Sequence, residues 1–130
     1  MLRVKTKLGK SRRNGIGLFA DEFIPKGKVT WQYDEEFDTA FGKDAIRRVP
    51  KNVKEQFLKY SYFDYILIKF VLCSDDQRFI NHSNNPNILS TPRKDTALRD
   101  IKHGEELTCD YEQYERDWFK RRKIKRENFK

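Results

Sequence analysis

Turn-forming residues interrupt this chain so often that only one stretch has room for helices. Gly15-Ile16-Gly17, Pro25-Lys26-Gly27, Ser74-Asp75-Asp76, Asn84-Asn85-Pro86-Asn87, Thr91-Pro92 and His103-Gly104 cut the rest into short pieces. Pieces that short, when rich in β-branched and aromatic residues, fit strands better than helices. Residues 15–20 therefore read as a turn feeding a strand, and 23–27 as a type II or related turn with Pro25 at its first corner. Across residues 28–33, Val29, Trp31 and Tyr33 alternate with Lys28, Thr30 and Gln32, the period of a half-buried strand. Residues 65–72 form an apolar run, expected as a hairpin strand ending at the tight turn Ser74-Asp75-Asp76. Further short strands are expected around Phe79-Ile80, Ile88-Leu89, 96–101 and 106–111. Residues 38–61 are the exception and read as two short helices, 38–49 and 50–61. The second has Pro50 near its first turn and places Val53, Phe57 and Tyr60 on one face. The expected fold is mainly β, with a short helical insertion.

A chain of 130 residues has the size of one compact domain. Its hydrophobic fraction is only 37%, but 10 Phe, 6 Tyr and 2 Trp provide large units of buried area, so an aromatic-rich core is expected. No apolar run reaches the roughly 18 to 20 residues that cross a bilayer, and the first residues lead into no signal-peptide segment. A soluble, intracellular protein is expected. Cys73 and Cys109 are the only cysteines, are distant in sequence and belong to no C-x-x-C pair, which argues against structural zinc and against a disulfide framework; no metal site is expected. Both read as small buried hydrophobes. The net charge of +8 favours acidic partners, including nucleic acid. Six of the seven residues 120–126 are basic, which fits a solvated helix end as well as a docking patch.

Two segments carry chemistry. Arg78-Phe79-Ile80-Asn81-His82-Ser83-Asn84-Asn85-Pro86-Asn87 is a hydrogen-bond-rich loop after an apolar stretch. Its Asn, Ser and His side chains can hold backbone in unusual shapes and present donors and acceptors to a ligand, although an ordinary Asx-type turn is the plainer reading. Gly104-Glu105-Glu106-Leu107-Thr108-Cys109-Asp110-Tyr111 is a glycine turn and a strand closed by a tyrosine. Such a hydroxyl can orient a reacting amine, or the ring can simply pack.

With the opening Gly15-Ile16-Gly17-Leu18-Phe19-Ala20 and Ile24-Pro25-Lys26-Gly27, these segments resemble the SET domain of protein lysine methyltransferases, in the family's order and over roughly residues 10 to 112. The resemblance implies the SET-domain (β-clip) fold of small curled sheets, with a C-terminal strand threaded as a pseudoknot through the loop at residues 81–87. It implies S-adenosylmethionine as methyl donor, with S-adenosylhomocysteine as product, and the side-chain amine of a protein lysine as acceptor. A histone or another basic protein is the expected substrate. Gly15, Ile16, Gly17, Leu18, Arg78, Phe79, Asn81 and His82 would contact the cofactor, the glycines because a side chain would block its approach. Tyr111 would be catalytic, aligning the amine and touching the cofactor site. Tyr33, Tyr62, Tyr65 and Cys109 would line the substrate channel, Cys109 standing where many relatives have Phe or Tyr, which leans towards multiple methylation. The family's frequent cysteine-rich closing motif is absent, and the chain resembles the minimal SET proteins of bacteria and viruses, which implies the cytoplasm in a bacterial source and the nucleus if it acts on host chromatin. The domain is therefore assigned to residues 1–112. Residues 113–130 are expected as a basic helical tail of the same unit, whose Tyr114, Trp118 and Phe119 either close the site, Trp118 reaching the cofactor, or simply pack.

Two other readings stand beside this one: a catalytically silent SET-like module that binds protein or nucleic acid through its basic surface, and a small basic β-rich nucleic-acid binder. The silent module has no chemical need for Asn81, His82 and Tyr111 together. The nucleic-acid binder should interleave aromatics with its basic cluster, which this sequence does not do. A homodimer that completes the substrate groove is left open.

Overall fold

The structure, a computed structural model, describes residues 1–123, so Ile124, Lys125 and Arg126 of the basic cluster lie outside the described residues, as does the tail's end. Ten short strands form three small sheets. Strands β1 (Thr6–Lys10) and β2 (Ile16–Ala20) make an antiparallel hairpin. Strands β4 (Thr39–Phe41), β5 (Ser61–Asp64) and β6 (Lys69–Leu72) make a second sheet in the order β4-β6-β5. The third contains β3 (Val29–Gln32), β7 (Asn81–His82), β8 (Ile88–Ser90), β9 (Lys94–Ala97) and β10 (Thr108–Cys109), in the order β3-β9-β8-β10-β7. Helices α1 (Lys43–Arg47) and α2 (Lys51–Tyr60) form the insertion, and α3 (Trp118–Arg122) follows the last strand.

The sheet order contains the threading. Strands β7 and β8 are joined by a five-residue loop, yet β10 lies between them and pairs parallel with both. A strand distant in sequence thus passes through the loop that connects two neighbours, which is the expected pseudoknot. Most buried apolar side chains gather around it, including Leu18, Ile24, Ile88, Ile101, Leu107 and Trp118. A second cluster centres on Trp31, Tyr62, Val71 and Cys73. Cys73 and Cys109 are both free and buried.

Several local expectations change. Of residues 38–49 only 43–47 are helical; Thr39–Phe41 instead pairs with β6, where Phe41 stacks on Phe70, so sheet pairing overrides the local pattern. The apolar run 65–72 is half turn and half strand, because the Asp64 carboxylate accepts the backbone N–H groups of Ile66 and Leu67 and reverses the chain at 65–68. Ile68 sits at φ 54, and Ile66 and Ile68 are left 73% and 69% exposed. Ser74-Asp75-Asp76 is not the hairpin turn: Asp75 caps a 3-10 helix, Asp76–Phe79, which replaces the strand expected at Phe79-Ile80. Pro25 is the first residue of its turn rather than the first corner, since its carbonyl accepts from Lys28 and the positive φ falls on Gly27. A register shift between Val29 and Trp31 buries Thr30 together with Trp31, breaking the simple alternation. The strand expected over 96–101 is β9, shifted to residues 94–97, and that over 106–111 shrinks to β10, with Tyr111 opening a 3-10 turn. No helix among the described residues is long and apolar enough to cross a membrane.

Candidate active site

Asn87 clamps the threaded strand from its side chain: its Nδ2 donates to the Glu106 carbonyl and its Oδ1 accepts from the Thr108 N–H, both at 2.9 Å. Pairing with β7 then sets Cys109 opposite His82, and the chain turns so that the Tyr111 N–H donates to His82 Nδ1 at 3.1 Å. Nδ1 is therefore the unprotonated ring nitrogen, and Nε2 donates to Asn84 Oδ1 at 3.0 Å. The Tyr111 hydroxyl donates to the Ile80 carbonyl at 2.6 Å. Burial, with a smaller push from Cys109, holds this hydroxyl well above the ordinary phenol range. The tyrosine of the second motif thus lies beside the histidine of the first, ring centroids 5.3 Å apart.

A cleft of about 360 Å³ opens against this junction. Ile16, Arg78, Phe79, Asn81, Tyr111 and Trp118 line it, all among the residues that the resemblance assigned to the cofactor. Gly15, Gly17, Leu18 and His82 do not. Leu18 and His82 are fully buried behind it, and Gly15 stands at φ 51 in the turn with open space around its Cα. At Gly17 the fold itself requires a small residue: a Cβ there would meet Glu106 Oε1 at 2.4 Å. That carboxylate accepts from Ser11 Oγ at 2.8 Å and from Asn81 Nδ2 at 2.9 Å, and Asn81 Nδ2 also faces the carbonyls of Asn14 and Ile16. Glu106 and Asn81 together fasten the glycine turn to the threaded strand. The sequence reading passed over Glu106, whose only signal was its place beside Leu107 in the second motif.

A narrower cavity, about 40 Å³, adjoins the cleft, and Tyr60, Ile80, Tyr111 and Trp118 line both. Of the residues that the resemblance assigned to the substrate channel, Tyr62 and Cys109 line it; Tyr33 and Tyr65 do not. Tyr33 lies beneath the Arg93 guanidinium, 4.7 Å from its ring, because its backbone leaves β3 to pair with Arg93. Tyr65 sits in the exposed hairpin turn against Phe63 and Arg121. Tyr62 donates to the Pro92 carbonyl at 2.7 Å, and burial raises its hydroxyl above the usual range. Asp95, absent from the sequence expectations, is 3% exposed, lines this cavity and accepts from Gln77 Nε2 at 2.6 Å. Burial pushes its carboxyl up to about 7, against the opposing pull of Ser90 and Gln77. In the sequence it looks like one more polar strand residue.

The C-terminal segment packs over the junction. Trp118 and Phe119 join the main core, with Trp118 4.5 Å from the Tyr111 ring and Phe119 4.9 Å from that of His82. Glu115, fully buried, anchors the segment by accepting from Arg121, from Arg122 at 2.8 Å and from the Phe63 backbone at 2.8 Å. Arg122 also donates to the carbonyls of Leu58 and Ser61, tying α3 to α2 and β5. Neither residue was singled out from the sequence.

Comparison with known proteins fits this geometry. The SET domain family model matches residues 15–112. The chain is 34% identical over 119 residues to the histone-lysine N-methyltransferase, H3 lysine-4 specific, of Schizosaccharomyces pombe, covering 79% of this chain and 12% of that protein. It is 29% identical to the mouse histone-lysine N-methyltransferase SETMAR, covering 78% and 38%. Among solved structures, the Polycomb repressive complex 2 of Chaetomium thermophilum in an autoinhibited conformation bound to S-adenosylmethionine superposes with a TM-score of 0.66 at 27% identity, over 91% of this chain and 16% of the other. An active Polycomb repressive complex 2 in the basal state gives 0.64 at 28% identity, over 83% and 15%. The chain thus spans well under half the length of these relatives. With the motifs, the threaded strand and the family match in agreement, the chain belongs to the SET-domain family.

Proposed function

We propose that this protein transfers a methyl group from S-adenosylmethionine to the side-chain amine of a protein lysine. The observation that carries the reading is the position of Tyr111, a shared wall of a ligand-sized cleft and a narrow aromatic cavity. The residues fit the cofactor: Phe79 and Trp118 offer apolar faces, Arg78 offers a cation for its carboxylate, and the backbone of the Asn14 to Ile16 turn lies at the cleft's edge. When bound, the cofactor supplies an electrophilic methyl group on a sulfonium.

The remaining chemistry belongs to the chain. A lysine ammonium, with a reference pKa of about 10.4, must lose a proton before it can attack. The apolar walls given by Tyr62, Trp118 and Cys109 disfavour the charged form, against the Asp95 carboxylate of the same cavity, which favours it. Tyr111, with its hydroxyl held by Ile80 and its ring by Trp118, fixes the position of the amine through orientation and electrostatics. Segment 113–123 closes the site by holding Trp118 against Tyr111. The buried thiol of Cys109 leaves room for more than one methyl group. The relatives named above are histone methyltransferases, which supports a histone lysine as substrate and action on chromatin in the nucleus.

The test is calorimetric titration with S-adenosylmethionine and S-adenosylhomocysteine, followed by radiolabelled methyl transfer to histones and cell extract. Saturable one-to-one binding with label on lysine is the expected result. A folded sample that binds neither cofactor form would overturn the reading.

A further inference from the structure

Asp95 is a buried carboxylate without a cation. A carboxylate this deeply buried is ordinarily paired with a cation or a metal. Among the described residues no Lys or Arg forms an ion pair with Asp95. The two basic residues that line its cavity are engaged elsewhere, Lys59 over the Tyr60 ring at 5.2 Å and Arg78 over the Phe79 ring at 5.2 Å. Its hydrogen-bonding neighbours, Gln77 Nε2 at 2.6 Å and Ser90, are both neutral. In the same cavity, the buried indole N–H of Trp31 has no hydrogen-bond partner among the described residues. The chamber therefore holds a carboxyl group with no cation beside it and spare hydrogen-bonding capacity, and it shares the wall that carries Tyr111.

We infer that Asp95 is the specificity-determining residue of the amine channel: it accepts the N–H of an incoming alkylammonium and makes the cavity select a cation over a neutral chain of the same length. The inference rests on the narrow cavity being the lysine channel of the proposed reaction. Apolar aromatic walls alone would hold the methylenes of a lysine and a neutral isostere about equally. An opposing charge deep in the cavity changes that, because a charge-assisted hydrogen bond in a water-poor site is worth roughly tenfold or more in affinity.

A structural role is the competing explanation. Asp95 joins the 3-10 helix at residues 76–79 to β9 through Gln77, and an asparagine would accept the same bond. Asp95→Asn therefore keeps the tie and removes the charge.

The probe is n-butylammonium, a lysine side chain without its backbone, with n-butanol as neutral control, titrated at about pH 8, where Asp95 is ionised. The reporter is the indole N–H resonance of Trp31, assigned by its loss in Trp31→Phe. Butylammonium is expected to shift that resonance saturably, butanol at least about tenfold more weakly, and Asp95→Asn to weaken the ammonium at least about tenfold while leaving butanol unchanged. Equal response to both probes, no response to butylammonium, or an unaltered affinity in the variant overturns the inference; the wild-type comparison alone suffices if the variant does not fold. Methyl transfer to histones is scored separately. Ammonium selectivity through Asp95 without any transfer would sink the enzymatic reading and leave the cation site standing. Transfer by the wild type with an unchanged lysine KM in Asp95→Asn would retain the reading and remove Asp95 from it.

Discussion

The threaded strand and the C-terminal segment press on Tyr111 from different sides, and they are held by different physics. Strand β10 is secured by neutral bonds, backbone to backbone and through the amides of Asn81 and Asn87, with Glu106 as the one charge among them. Segment 113–123 is secured by charge, a fully buried Glu115 against Arg121 and Arg122. Neutral bonds fail one at a time and cost little each, whereas a buried ion pair that loses a partner leaves an uncompensated charge. The C-terminal segment should therefore be the more brittle of the two, although the conspicuous motif lies in the other.

Glu115→Ala tests that contrast with the largest effect. It strands Arg122, 3% exposed at its side chain, and frees the Phe63 N–H, so a loss of about 3 to 5 kcal/mol is expected in denaturant unfolding. A loss below about 1 kcal/mol would mean that water reaches Arg122 and that the segment is not held by charge. Next comes Tyr111→Phe, expected to slow methyl transfer about a hundredfold or more while cofactor affinity stays within about threefold. Turnover at the wild-type rate would take the hydroxyl out of the mechanism and leave the ring as packing. Asn87→Ala should cost roughly 1 to 3 kcal/mol, because it leaves the buried Thr108 N–H without its acceptor. If it costs as much as Glu115→Ala, the two regions are equally brittle and the contrast fails.

The last prediction concerns pH. The carboxyl of Asp95 stands at about 7 in the fold against an ordinary 3.8, so the folded state favours the protonated acid. Its contribution to stability is complete below about pH 4 and is lost as pH rises towards 7, the unfolded chain being ionised across that window while the folded one is not. The unfolding constant should rise by up to about tenfold per pH unit in the upper part of that range, and Asp95→Asn should flatten the slope. Identical slopes for variant and wild type in urea titrations at several pH values would show that the carboxyl is ionised throughout.

Legibility followed the range of the interactions. The turns at Gly15, Gly27 and Gly104 and the polar character of residues 81–87 are local, and the family motifs located Asn81, His82 and Tyr111 correctly beside one another. Errors fell where a distant partner overrode a local pattern. Thr39–Phe41 became a strand because β6 was there to pair with it, and the 65–72 run was broken by an aspartate just before it. The resemblance assigned Tyr33 and Tyr65 to the substrate channel, and backbone pairing with Arg93 and the hairpin reversal place them outside the lining of the inner cavity. At Gly17 the fold adds a constraint that the motif does not show, since its lack of a side chain makes room for Glu106, about ninety residues further on.

The sequence by itself determined that this chain would be a mainly β SET domain with a tyrosine meeting the asparagine-histidine loop, because turn chemistry and contiguous motifs are written in neighbouring residues. Only the tertiary structure decided that Glu106 braces the glycine turn, that Glu115 and Arg122 fasten the closing segment, and that Asp95 lies in the inner cavity with no cation beside it among the described residues. A carboxylate reads the same in sequence whether it faces water or a closed chamber, and burial, which sets its energy, is created by residues that the chain brings together only on folding.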